Sequence, residues 1–388
     1  MMEAGYERYL GIDVGKRGHW AYAIDRTGGL LFSAPLANSE QDIDSMLARA
    51  GDGCLVVVDQ KRNIGLLAVR RARLKGLDVA YLPGLAMSRA AALFPGDAKT
   101  DERDAEVIAR TALGIPGALR SVPDEDSRTE RLRRLSAQRA DLLADRTHQK
   151  NRLRSLLLES NPAFEALTDL GKPWMLSLLA ALGGPWNILD AGRRRFSSWE
   201  RSAPHADPDA CERIWASLGA ATRVTEGQAE AERCLVKMVA GRIIAIDKEM
   251  ASLSSMIEDG LKGDPAFEAL LTVPGVGPKT AAQLVLSIDI TDFKDHDALA
   301  SYAGLAPRNR QSGTSVSTVS ASRQGNKPLK NLLIYSCTSL IGKDCYYGRY
   351  YAACRARGMR HNHALKATAR KRLKVIFAVM RDLRPYAA

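Results

Sequence analysis

Four aspartates in the first third of the chain have residue types and spacing suited to phosphoryl transfer. Asp13 ends a short apolar run in Tyr9–Lys16 (YLGIDVGK), and a glycine follows within two residues. Asp59 ends a second run, Cys54–Asp59 (CLVVVD). Aspartate is a poor strand former, so a carboxylate closing a buried strand needs a reason. Metal binding is one, because Mg2+ takes hard oxygen ligands on rigid elements; a turn is another. Asp101 and Asp104 follow in Lys99–Ala105 (KTDERDA), on one face of a helix start. Capping and the helix dipole also favour acids there. Four acids crowded without a cation repel and raise one another's pKa. Two divalent cations about 4 Å apart remove that cost and clamp the attacking and leaving oxygens of a phosphodiester.

The elements must bring those acids together. Residues 8–14, 19–25 and 30–36 read as a meander of strands, with an Asp/Gly-rich turn at Asp25–Gly29. A helix follows over 39–50, capped by Ser39 or Asn38. The β-branched run 54–59 has the composition of a strand buried on both faces. A helix over 63–76, a strand over 79–82 and helices over 84–93 and 100–113 complete the region. This is the element order of a ribonuclease H-like fold, a mixed α/β sheet flanked by helices. If the first and fourth strands are neighbours, Asp13 and Asp59 sit at adjacent carboxyl ends, where open sheets bind ligands. Residues 114–125 read as a linker.

A chain of 388 residues exceeds one ordinary domain. Its net charge of +12 favours a polyanionic partner. No run approaches the length of a membrane span, and the N-terminal residues lack the apolar segment of a secretory signal. A cytoplasmic protein that meets nucleic acid is expected. The six cysteines are scattered without a C-x-x-C, so no disulfide framework is expected. Cys345, Cys354, His361 and His363 fit no familiar zinc module.

A strongly basic helix is predicted over 126–158, with Arg131 and Arg134 among its phosphate-contact candidates. Its apolar seam is interrupted by Arg139, Arg146 and Gln149. A second helix over 225–261 carries Val236, Val239, Ile243, Ile246, Met250, Leu253 and Ile257 at alternating spacings of three and four. Together they predict a helical coiled-coil arm over 126–262, with a small helical insertion at 160–222. The insertion's four tryptophans could stack bases, but core packing is the commoner role. Residues 271–281 (LTVPGVGPKTA) resemble the hairpin of a helix-hairpin-helix motif. Gly275 and Gly277 would permit the turn, the next helix start offers N–H groups to a phosphate, and Lys279 adds charge. Residues 302–322 read as a polar loop containing Arg308 and Arg310, with Arg323 just beyond it. One of its serines could be a nucleophile. Residues 327–341, 344–357 and 362–383 read as basic helices.

These motifs, in this order, resemble the DEDD transposases of insertion sequences, the one-ten family, and are similar to the related site-specific DNA invertases. GIDVGK, VVVD, KTDERDA, PGVGPKTA and YAGLAPRNRQSG followed by SRQGNKPLKNLL carry the resemblance. It implies a RuvC-like domain at 1–125, the arm at 126–262 and a mainly α transposase domain at 263–388. It also implies Mg2+ (or Mn2+) on Asp13, Asp59, Asp101 and Asp104, and a catalytic serine at Ser312. The family usually has Glu where this chain has Asp59. A bridge RNA that pairs with donor and target DNA, and a homo-oligomer holding both duplexes, are further expectations. A metal nuclease using water, a non-catalytic binder and an actin-like sugar kinase are the competing classes. The kinase would need a second glycine-rich phosphate loop, which the sequence lacks.

Overall fold

The computed structural model describes residues 5–61, 63–94, 100–122, 127–220, 225–312, 316–321 and 325–387. The chain divides into two compact units, Met1–Glu125 and Asp126–Ala388.

The first unit is built on a six-stranded sheet. Its strands are β1 (Arg8–Val14), β2 (His19–Asp25), β3 (Leu30–Leu36), β4 (Cys54–Val58), β5 (Val79–Tyr81) and β6 (Arg120–Ser121), in the order β3-β2-β1-β4-β5-β6. The β1/β4 and β4/β5 pairs are parallel and the others antiparallel. Helices α1 (Glu40–Ala50), α2 (Leu66–Leu74), α3 (Gly84–Ala91) and α4 (Asp101–Gly114) connect and flank the strands. Alternation sorts the two faces. Leu10, Ile12 and Val14 pack with Ile43, Leu47, Ala68 and Ala72 of α1 and α2. Tyr22 and Ile24 pack with Ala105 and Ala109 of α4 on the other face. The mixed sheet matches the ribonuclease H-like expectation. The supposed linker at 114–125 is different: it contains β6, which extends the sheet by pairing Ser121 with Ala80 and Arg120 with Tyr81.

The second unit is mostly helical. Two long helices dominate it: α5 (Ser127–Ser160), then, after α6 (Pro162–Leu167), α7 (Pro173–Leu182), α8 (Pro185–Ser202) and α9 (Pro208–Ser217), α10 (Glu226–Leu261). Thr225 and Gln228 form a capping box at the start of α10. The two long helices pack against each other within one chain, burying Leu132, Val236, Val239, Ile243 and Ile257. The residues that interrupt the α5 seam are explained by polar partners. Arg139 donates to Ser254 at 2.8 Å, Arg146 pairs with Asp247, and Gln149 donates to Asp145 at 3.1 Å. Helices α6–α9 cover one end of this pair. Trp174, Phe196 and Trp199 share a core with Leu153, Leu157, Val236 and Ile243, so those tryptophans serve packing.

The chain ends in α11 (Pro265–Leu271), α12 (Pro278–Ser287), α13 (His296–Tyr302), β7 (Pro307–Ser312), β8 (Val316–Ala321), α14 (Lys327–Tyr335), α15 (Tyr346–Ala356) and α16 (His361–Asp382). The stretch read as a polar loop is instead a two-stranded antiparallel ribbon, β7–β8. No described helix is long and apolar enough to cross a membrane.

Candidate active site and nucleic-acid contacts

The acidic residues gather at one end of the first sheet. Strands β1 and β4 run parallel with Ile12 opposite Val58, so Asp13 and Asp59 continue adjacent strand ends. By alternation both point away from the Ile12/Val58 face and toward the side covered by α4. Gly11 allows α4 to come that close. A Cβ at residue 11 would lie 2.4 Å from the Ala105 carbonyl oxygen and 2.6 Å from the Ala109 nitrogen. Side chains fix the helix further: Tyr22 donates to Glu106 at 3.2 Å, and Ser33 donates to Glu102 at 2.6 Å. Thr100 caps α4 by accepting from the Arg103 N–H.

Asp59 is the most informative of the four. Its Oδ1 accepts the Val14 N–H at 3.1 Å, which ties the end of β4 to the end of β1. Burial pushes its carboxyl above the usual aspartate range, and the charge of Asp104 acts in the same direction; the Val14 N–H opposes both. Asp59 and Asp104 are thus electrostatic neighbours although 45 residues separate them in sequence. Asp101, at the start of α4, is exposed. Among the described residues, no three His, Cys, Asp or Glu side chains form a closed metal-binding group. The structure places Asp13 and Asp59 at adjacent strand ends, with Asp104 in electrostatic reach of Asp59, but does not draw the predicted four into one metal-binding group; Asp101 lies one helical turn from Asp104, toward solvent. The Cys345–His363 cluster is structural: Cys345 caps α15, Cys354 is buried and His361 shares a 2.7 Å hydrogen bond with Tyr351.

In the second unit, α11 and α12 flank the glycine-bearing stretch 272–277 and pack against each other. Gly275 has φ +78°, whereas Gly277 has φ −91° and caps α12 in an extended conformation. Only Gly275 meets a backbone need for glycine. Lys279 is exposed in the first turn of α12 and lines a small cavity with Arg139, Ser136, Ser254, Glu258 and Gln283. Arg131 is exposed, while Arg134 is paired with Glu130 at 2.7 Å. Ser312 is the last residue of β7, opposite Val316, and Arg308 and Arg310 occupy alternate positions before it. The side chains of Arg308, Arg310 and Ser312, and all of Lys99 and Arg323, lie outside the described residues.

Residues 10–162 match a family model, DEDD_Tnp_IS110, described as "Transposase", and residues 267–352 match one described as "Transposase IS116/IS110/IS902 family". The 43.6 kDa protein of insertion element IS110 from Streptomyces coelicolor is 37% identical, over 96% of this chain and 94% of its own length. The chain belongs to the IS110 transposase family. The 44.8 kDa protein of insertion element IS116 from Streptomyces clavuligerus is 32% identical, over 97% of this chain and 95% of its own. A pilin gene-inverting protein from Moraxella bovis is 34% identical over 30% of this chain and 37% of its own length. The IS110-family assignment makes this chain an enzyme acting on DNA.

Arg372 lies in the C-terminal stretch that the sequence reads as a basic helix, yet it is not part of the charged surface. It is 0% exposed. Its guanidinium donates to the carbonyl oxygens of Pro274 and Leu333, both at 3.2 Å, and to Ser336. Burial pulls its pKa down. The signal available was its place between Ala369, Leu373 and Ile376 on the buried stripe of α16.

Proposed function

We propose that this IS110-family enzyme is a DNA transposase and site-specific recombinase that cuts and rejoins strands through a phosphoserine intermediate. The observation carrying the reading is the half-buried Asp59 carboxylate, in electrostatic reach of Asp104, at the strand end next to the one that bears Asp13. Carboxylates supply the hard oxygen ligands that a divalent cation takes, and drawing these in around one would relieve their mutual repulsion. Asp13, Asp59 and Asp104, with Asp101 at the mouth, would hold Mg2+ or Mn2+, which neutralises charge on the phosphate and the departing oxygen.

The serine is assigned by family resemblance, and its setting on β7 after Arg308 and Arg310 fits the role. Ser312 Oγ attacks a DNA phosphorus and loses its proton, the sugar–oxygen bond to phosphorus breaks, and the released hydroxyl takes a proton. The phosphoserine ester keeps the bond energy, so a hydroxyl from another strand can reverse the step without ATP. Arg308 and Arg310 steady the phosphate, and Lys279, Arg131 and the basic helices hold the duplex backbone. The paired Arg134 contributes less. In this reading a bridge RNA selects donor and target DNA, and a homo-oligomer holds both duplexes.

The test is covalent trapping on cognate DNA. Ser312→Ala should abolish protein–DNA adducts while DNA binding persists. Adducts that survive in that variant would move the nucleophile to Ser315 or Ser317. Cleaved ends carrying no protein in the wild type would favour attack by water.

A further inference from the structure

Between Lys343 and Lys374 the chain carries ten Lys or Arg residues and one acidic residue, Asp344. Among the described residues, only Arg349 and Arg370 of these ten are paired with carboxylates, those of Asp344 and Asp297. Arg372 is buried, as described above. The remaining seven cations lie on α15 and α16 and the segments flanking them, and one of them, Lys371, stands over two tyrosines of α15.

Tyr346 is 48% exposed. Its ring is nevertheless fixed. Tyr347, which is buried, meets it nearly edge to face, with centroids 5.3 Å apart and planes at 78°. Lys371 Nζ lies 5.2 Å from the Tyr346 centroid and 4.5 Å from that of Tyr350. An ammonium shared between two rings is a cation–π arrangement that costs a lysine its freedom. A solubilising lysine needs no such arrangement, and a core tyrosine would not be half exposed. An aromatic ring held at fixed orientation within unpaired cations has the make-up of a single-strand binding surface. There, bases stack on the ring and phosphates meet the charges.

We propose that the α15–α16 face binds unpaired DNA, with a base stacked on Tyr346, Lys371 holding the tyrosine pair, and neighbouring cations on the flanking phosphates. The inference rests on the chain acting on DNA strands, which must part when exchanged; it does not depend on which residue is the nucleophile. A double helix hides its base faces, so Tyr346 discriminates strand state, while the cations serve both.

The test uses the full-length chain carrying Ser312→Ala, so that binding is separate from adduct formation. Labelled oligothymidine, a duplex of equal length and oligouridine are titrated by fluorescence anisotropy at one salt concentration. Tyr346→Ala and Tyr346→Leu should weaken oligothymidine binding about tenfold or more, the loss of one stacked base. Duplex affinity should change less than about twofold, and Tyr346→Phe should bind as the parent does. Ultraviolet cross-linking should join the oligothymidine to Tyr346. Equal affinity in the Leu, Phe and parent proteins would overturn the proposal. So would parallel losses for single strand and duplex, or a Tyr346-dependent preference for oligouridine, which would make RNA the occupant.

Discussion

A methyl group at residue 11 would sit 2.4 Å from a backbone oxygen and 2.6 Å from a backbone nitrogen of α4. Neither atom can yield without moving the helix that carries Asp104. Gly11→Ala is therefore expected to cost about 1–3 kcal/mol of stability, as overpacking of a tight contact does. Strand cleavage should fall further than stability does, because α4 must lift away from Asp13 and Asp59. Thermal unfolding and a cleavage assay on the same preparation check both. Gly114→Ala, where an added Cβ meets nothing within 4 Å, is the control and should be neutral or mildly stabilising. Asp59, where the family usually has Glu, accepts the Val14 N–H with its shorter side chain.

Among the elements, α8 depends on a buried carboxylate for its start. Glu232 of α10 is 8% exposed. It accepts from Ser160, from Asn187 at 3.3 Å and from the Trp186 N–H in the first turn of α8. Burial outweighs these donors and raises its pKa above the usual glutamate value. Between that value and the raised one, the folded chain keeps a proton that the unfolded chain has released. Stability from this group thus declines as pH rises through the window and is fully lost above it. Gln does not titrate. Its amide can donate to Ser160, whose hydroxyl already faces the Leu156 carbonyl at 3.0 Å. The melting-temperature advantage of Glu232→Gln over the parent should grow across that window and level off above it; a constant difference would contradict the assignment.

Legibility in sequence also divided by element. Strands β1–β5 and helices α4, α5 and α10 declared themselves through apolar runs, capping residues and a heptad seam. Asp13 and Asp59 were placed by the same logic, since strand ends follow from strand order. β6 is only Arg120–Ser121, amid prolines and glycines, with no period to read. β7 and β8 are polar, so the alternation that marks a half-buried strand is missing, and a ribbon read as a loop. The proximity of Asp59 and Asp104 depended on how closely α4 lies on the sheet, which only Gly11 hinted at.

For the whole molecule, each unit has its own interior. The sheet unit has cores on both faces. The helical unit has one core under α11–α16 and another under the insertion. Residues 1–125 and 126–388, produced separately, should each unfold cooperatively, as followed by circular dichroism in denaturant. Neither alone should form adducts with DNA, because the acids lie on one fragment and the proposed serine on the other.

Arg372 has a consequence for the helical unit as an instrument. One guanidinium spans the turn before α12 at Pro274, the end of α14 at Leu333 and Ser336, and its own helix α16. Gly275 leaves the room it occupies, for a Cβ there would meet its Nη1 at 2.6 Å. The turn that precedes Lys279 and the helix that carries Lys371 share this guanidinium, so neither shifts without the other. In the proposed reading Lys279 meets a phosphate, and Tyr346, steadied by Lys371, meets a base. Two contacts set at a fixed span then behave as a caliper, and a strand engaged by both is gauged by the distance between them.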